Sequence, residues 1–318
     1  MRIVLCALFL GTASCSDSAG DSDTDAGTDL PGTTDGVCAM DESVGGIVIS
    51  LEEGFTSVQG KIESSVAPFT NREVVTTAGE CSLLKPVTVF CDPSCIGTMT
   101  CGLSGVCVDA PVAISVGDVS VFGLSDPVEM SARAPVFFYT NTGTLANPAF
   151  AKDDPIHMQA SGEVAGQGFG LDVSGIAPIE LTETSVELAD GQPIAVSWTE
   201  SDEADTRVRI VLNIAQHGGT PGSIECDVPD DGMFTIPESL TSELLARGFS
   251  GFPSLSVTRH STDSTVIPTG DSTSGCVEFS AQSKVTVPVV IDGLTSCSVS
   301  DNCPDGQVCG PDLSCQSG

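Results

Sequence analysis

Basic residues are scarce in this 318-residue chain: 11 Lys and Arg stand against 43 Asp and Glu, for a net charge of −32. That balance repels phosphate backbones and excludes nucleic acid as a partner. It also disfavours adsorption to anionic headgroups by charge alone. Histidine is nearly absent, with His157, His217 and His260 far apart in sequence and none in a metalloprotease-type ligand pair. Phe, Tyr and Trp make up 5% of the chain, so Val, Ile, Leu and Ala must build the cores, which suits sheets of short strands. After the first ten residues no apolar run approaches the roughly 20 residues of a membrane-spanning helix. The Gly102-Leu103-Ser104-Gly105 stretch falls short of a nucleophile elbow.

At the N-terminus, Arg2, the apolar run Ile3 to Leu10 and the small residues Gly11 to Ser14 form a secretory signal, predicted over 1–14. Residues 15–36 follow as an acidic linker of Ser, Asp, Gly and Thr, too polar to pack and suited to a disordered tether. The Asp21, Asp23, Asp25 alternation does not make an EF-hand loop, because Ala26 and Gly32 stand where Gly and Glu are needed. The chain has 14 cysteines. An exported address favours disulfides over zinc, as does a spacing dominated by five-residue intervals.

The remainder reads as mostly β, with several β-sandwich-like domains and small disulfide-rich modules. The predicted units are a β-domain over 37–124 with a cysteine-rich insert at 91–107, a β-rich domain over 125–184, a sandwich over 185–296 and a cysteine-rich module over 297–318. Strands are expected at 46–53, 72–77, 85–90, 113–124, 135–140, 156–161, 193–199, 206–214, 254–259 and 277–291. One helix is expected after a capping box at Thr235-Ile236-Pro237-Glu238, with Leu240, Leu244 and Leu245 as its apolar stripe and Gly248 as its stop.

Small residues followed directly by Cys15 resemble the lipobox of bacterial lipoproteins, in which that cysteine is acylated and becomes the mature N-terminus. Thr12 stands where the family prefers an aliphatic residue, so ordinary signal-peptidase cleavage is the alternative. Parity favours the lipid: removing Cys6 with the signal and acylating Cys15 leaves twelve cysteines, an even number. Ser300 to Gly310 resembles the small cysteine-rich modules of extracellular proteins, of EGF-like or Dickkopf type, and Cys95 to Cys107 repeats the spacing of Cys303 to Cys315. In those families such modules are spacers or interaction knobs. Pro193 to Thr199 resembles the Trp-bearing strand of fibronectin type III sandwiches, with Trp198 in the core. The chain as a whole is similar to uncharacterised bacterial surface lipoproteins.

Four cysteines allow three connectivities per module. The interleaved one is expected: Cys297–Cys309 with Cys303–Cys315, and by analogy Cys91–Cys101 with Cys95–Cys107. Cys38–Cys81 and Cys226–Cys276 are then left. Loop acids Asp202, Glu203 and Asp205, and Asp227, Asp230 and Asp231, are the candidates for a calcium ion; solvated turns are the simpler reading, and no other cofactor is expected. The functional expectation is a non-enzymatic protein at the outer membrane or cell surface, touching the membrane through its lipid only. It would act as a binding, adhesion or scaffolding module for a protein or polysaccharide. A structural subunit of an envelope complex is the alternative, and a secreted hydrolase with a site assembled from distant loops comes third.

Overall fold

The computed structural model of the chain describes residues 36–68, 72–162, 168–202, 205–214, 222–270 and 273–318. The signal segment, Cys15 and the tether up to residue 35 lie outside the described residues, as do Glu203 and His217.

Alternating apolar residues lay down one sheet of eleven strands. Its members are β1 (Ser43–Glu52), β2 (Phe55–Glu63), β3 (Arg72–Ala78), β4 (Cys81–Pro86), β7 (Ala113–Ile114), β10 (Phe138–Thr140), β13 (Val186–Leu188), β15 (Arg207–Asn213), β16 (Ser223–Pro229), β18 (Ser254–Pro268) and β19 (Ser274–Ile291). The order along it is β10-β2-β1-β19-β18-β15-β16-β4-β3, with β7 on β2 and β13 on β19. A four-stranded sheet comprises β8 (Asp118–Phe122), β9 (Val128–Ser131), β11 (Pro155–Ala160) and β12 (Phe169–Ser174), in the order β12-β11-β8-β9. Three two-stranded pieces complete the β structure: β5 (Met99–Cys101) with β6 (Cys107–Asp109), β14 (Ile194–Ser197) with β17 (Met233–Ile236), and β20 (Gln307–Cys309) with β21 (Cys315–Ser317).

The spine of the molecule is the hairpin β18–β19, 15 and 18 residues long, which at about 3.3 Å per residue reaches about 50 Å. It belongs to two hydrophobic cores. Near its tip, Ile267, Val277, Phe279 and Ala281 join Ile47, Ile49 and Val58 of β1 and β2 against the four-stranded sheet. Near its base, Leu255, Val257, Val287 and Ile291 join Val208, Ile210 and Leu212 of β15, together with Leu83, Ile224 and Trp198. Between the two, buried Ser261 and Ser283 accept hydrogen bonds from the backbone N–H groups of Ser174 and Ile179, which stitch the β12–β13 connection across the hairpin.

The fold is mostly β, with disulfide-rich modules, as the composition implies. Its division differs from the sequence reading at 124 and 184. Strands β1 and β2 bond to β19 and β10, and β4 bonds to β16, so segments 37–124 and 185–296 share one sheet and both cores. Strand β4 begins at Cys81, whereas residues 87–90, expected in a strand, have no regular structure. The helix α1 (Glu238–Ala246) lies where expected and buries Leu240 and Leu244. Its capping box does not form: Thr235 is in β17, and Pro237 at the N-cap makes no side-chain cap. Pro237 is nonetheless suited to a helix start, and Gly248 at φ +97° ends the segment.

All twelve described cysteines are paired. Both modules have the interleaved pattern, Cys91–Cys101 with Cys95–Cys107 and Cys297–Cys309 with Cys303–Cys315. The remaining pairs correct the expectation. They are Cys38–Cys276 and Cys81–Cys226, not Cys38–Cys81 and Cys226–Cys276. Register explains it: Cys81 lies directly opposite Cys226 in the β4–β16 ladder, and Glu278 of β19 accepts the Cys38 N–H at 2.6 Å, beside Cys276.

Candidate functional site

The outer face of the large sheet carries an open cleft of about 700 Å³ between the β1–β2 and β3–β4 ends, lined by one cysteine from each of the Cys38–Cys276 and Cys81–Cys226 disulfides. Alternation puts it there. In β15, Val208, Ile210 and Leu212 point into the core, so Arg207 and Arg209 emerge on the opposite side, and Glu225 and Asp227 of β16 do the same. Val44, Leu84 and Ala67 form its apolar floor.

Three of the chain's eleven cations line this cleft. Lys61 pairs with Glu63 at 2.6 Å, and Arg72 pairs with Glu225. Among the described residues the half-buried Arg209 guanidinium has neither an ion pair nor a hydrogen bond. The carboxylate directly across from it, Asp227, is taken by Arg207, whose Nε donates to Oδ1 at 2.5 Å and whose Nη2 donates to the Asp227 carbonyl at 2.7 Å. Among the described residues Arg209 is therefore a cation without a carboxylate partner, in a concave, partly apolar setting whose lining also holds five carboxylates, of Glu63, Glu80, Glu225, Asp227 and Glu278.

A smaller cavity of about 320 Å³ adjoins the cleft through Asp227 and is lined by Asp205, Arg207, His260 and Thr262. His260 is 3% exposed; its Nδ1 lies 3.0 Å from Thr262 Oγ1, and its Nε2 lies 3.6 Å from Asp227 Oδ2. Burial pushes the Asp227 carboxyl up, but the proximity of His260 and Arg207 reverses this and holds it below the ordinary aspartate value.

The acids read as calcium candidates do not converge as two clusters. Asp230 faces inward: with 2% of its side chain exposed, it accepts Arg259 Nε at 2.5 Å and Nη2 at 3.1 Å, Trp198 Nε1 at 2.7 Å and Thr206 Oγ1 at 3.2 Å. Its lone pairs are spent inside the protein, so it is no cation ligand. Asp231 is exposed in the turn beyond, and Asp202 pairs with Lys152. Asp205 and Asp227, one from each set, do share the smaller cavity. Among the described residues, the only groups of three or more potential ligands within reach of one another are module cysteines, already in disulfides.

Arg259 was not singled out by the sequence, yet it organises the junction between the cores. Besides Asp230 it donates to the carbonyls of Ala177 at 3.2 Å, Pro178 at 3.0 Å and Thr199. Trp198 is in the core as the sequence suggested, but on the separate β14–β17 layer. His157 stands elsewhere, on the surface, 2.8 Å from Asp172 and stacked on Phe122.

No family model matches the chain, and no curated protein matches it. Among solved structures the chain is similar to the FN1-FN3 domains of chicken CNTN1, at 9% identity over 74% of this chain and 78% of that one, with a TM-score of 0.19.

Proposed function

We propose that this chain is an exported surface protein, tethered to the membrane by a lipid on Cys15, and that it works by binding and not by catalysis. The observation that carries the binding reading is the cleft itself: apolar at its floor, lined by a cysteine from each of two disulfides, and holding Arg209, unpaired among the described residues, in a chain of net charge −32. An oligosaccharide or peptide segment that sets one carboxylate on Arg209, and neutral or basic groups against the cleft's five acids, is the ligand class that such a site accepts best, since a guanidinium binds a carboxylate in two parallel hydrogen bonds. The pairing of all twelve cysteines after Cys15 supports an oxidising destination.

The test is an array of carboxylated and neutral oligosaccharides and peptides, probed with the disulfide-intact protein, with R209E and with the control R133E. Binding that favours carboxylated probes and is lost only in R209E supports the reading. Equal binding by R209E, or turnover of a probe, overturns it.

A second reading, as a structural subunit of an envelope complex, is favoured by the apolar surface of the first cysteine module. There Phe90 is 78% exposed, Ile96 81% and Val106 61%, more than solvated loops need.

A further inference from the structure

Among the described residues only two buried side-chain nitrogen or oxygen atoms make no hydrogen bond, Arg247 Nε and His260 Nε2. The first belongs to a guanidinium that already holds Glu243 at 3.2 Å. The second belongs to His260, one of the residues lining the cavity that Asp227 and Asp205 also line.

We propose that His260 Nε2 and the Asp227 carboxylate bind one divalent transition-metal ion, of the zinc type, in the cavity beside the main cleft. Thr262 Oγ1 can accept a hydrogen bond from Nδ1–H at 3.0 Å. In the tautomer that donates to it, Nε2 is a bare lone pair, the way metal-binding histidines are held. Nε2 then confronts a second lone-pair donor, Asp227 Oδ2, at 3.6 Å. That separation is too long for a hydrogen bond. It is too short for a bridging water, which needs its two acceptors roughly 4.4 Å apart. It is close to the roughly 3.4 Å between two ligands of a tetrahedral zinc ion at about 2.0–2.1 Å from each.

An imidazole ligand selects against calcium, which takes oxygen, so the ion differs from the one the acidic loops suggest. Arg207 holds the other carboxylate oxygen and orients it, while its positive charge weakens the ion's binding. Asp205, exposed on the turn before β15, opens onto the same cavity and supplies a third ligand by rotating its side chain inward; water completes the shell. The site is independent of whether Arg209 receives a ligand.

The experiment is titration of the full, oxidised, chelator-treated protein with cobalt(II), then zinc(II), with calcium as control. Expected are one saturable cobalt site with the visible absorption of a four-coordinate nitrogen/oxygen shell, displacement by zinc, and no response to calcium. D227N and H260Q abolish it, T262V weakens it by roughly 10–100-fold, and H157Q and H217Q leave it unchanged. Trp198 fluorescence reports whether each variant is folded; should H260Q not fold, T262V and the exposed D205N carry the test, each expected to weaken binding. No saturable site in the wild type, indifference to D227N, T262V and D205N together, or loss on H157Q or H217Q overturns the proposal. The first of these results would leave a simple imidazolium–carboxylate pair.

Discussion

Replacing Arg259 with Met removes the junction between the two cores without changing the bulk of the side chain much. Arg259 and Asp230 are 1% and 2% exposed, so the carboxylate left behind is a buried charge with only Trp198 Nε1 and Thr206 Oγ1 as donors. Stranding one member of a buried pair costs about 3–5 kcal/mol. Three carbonyls, of Ala177, Pro178 and Thr199, lose their donor as well, each worth about 1–3 kcal/mol where no other donor replaces it. The remaining donors and entry of water recover part of this, so we expect a loss of at least about 4 kcal/mol. Against a total stability of about 5–15 kcal/mol, that is enough to unfold much of the protein. The assay is built in: the chain's one tryptophan, Trp198, donates to Asp230 and reports the junction by fluorescence during guanidinium unfolding. R259M/D230L, which removes both charges, should be more stable than R259M alone, because the carboxylate penalty is gone. An R259M variant within about 1 kcal/mol of the wild type would refute the claim that this ion pair holds the cores together.

Peptide mapping under non-reducing conditions should return Cys38–Cys276 and Cys81–Cys226. Removing either pair should cost about 5 kcal/mol in the chain-entropy picture, because the closed loops span 238 and 145 residues. The double substitution C95A/C107A in the first module should leave the Trp198 transition within about 1 kcal/mol of wild type, since that module has its own two-stranded sheet and buries little. Intact mass of native protein should carry a diacylglycerol-sized addition, and Cys15→Ser should release the protein into the soluble fraction; a wild-type protein already soluble and starting at or before Ser14 would contradict the anchor.

Local signals were readable and distant pairings were not. The Val- and Ile-rich stretch Gly46 to Glu53 and the alternating stretch Thr206 to Ile214 are strands where expected, because composition and period-two burial are properties of the strand itself. The module disulfides join partners 10 to 12 residues apart, but spacing left three connectivities open in each module, and the interleaved expectation reached the first module only by analogy with the repeat. Cys38 and Cys276 are joined through the parallel pairing of β1 with β19, and no pattern within either segment specifies its neighbour in a sheet. Treating 254–259 and 277–291 as ordinary strands hid the hairpin that unites the cores, since its middle is Ser and Thr rather than Val and Ile. Of the candidate site, the acidic loops were visible, but which acid turns inward was not. Asp230 and Asp231 are adjacent, and only the arrival of Arg259 and Trp198 from other strands separates a buried partner from a solvated one.

Hydrogen–deuterium exchange of the disulfide-intact protein, with and without a polysaccharide and peptidoglycan-peptide fraction of the native envelope, addresses the binding account most directly. It should show slowed exchange in peptides covering 37–45, 72–84 and 223–228, which line the cleft, with the fraction recovered chemically unchanged. Protection confined to surfaces away from the cleft, or a fraction that returns cleaved, would contradict it.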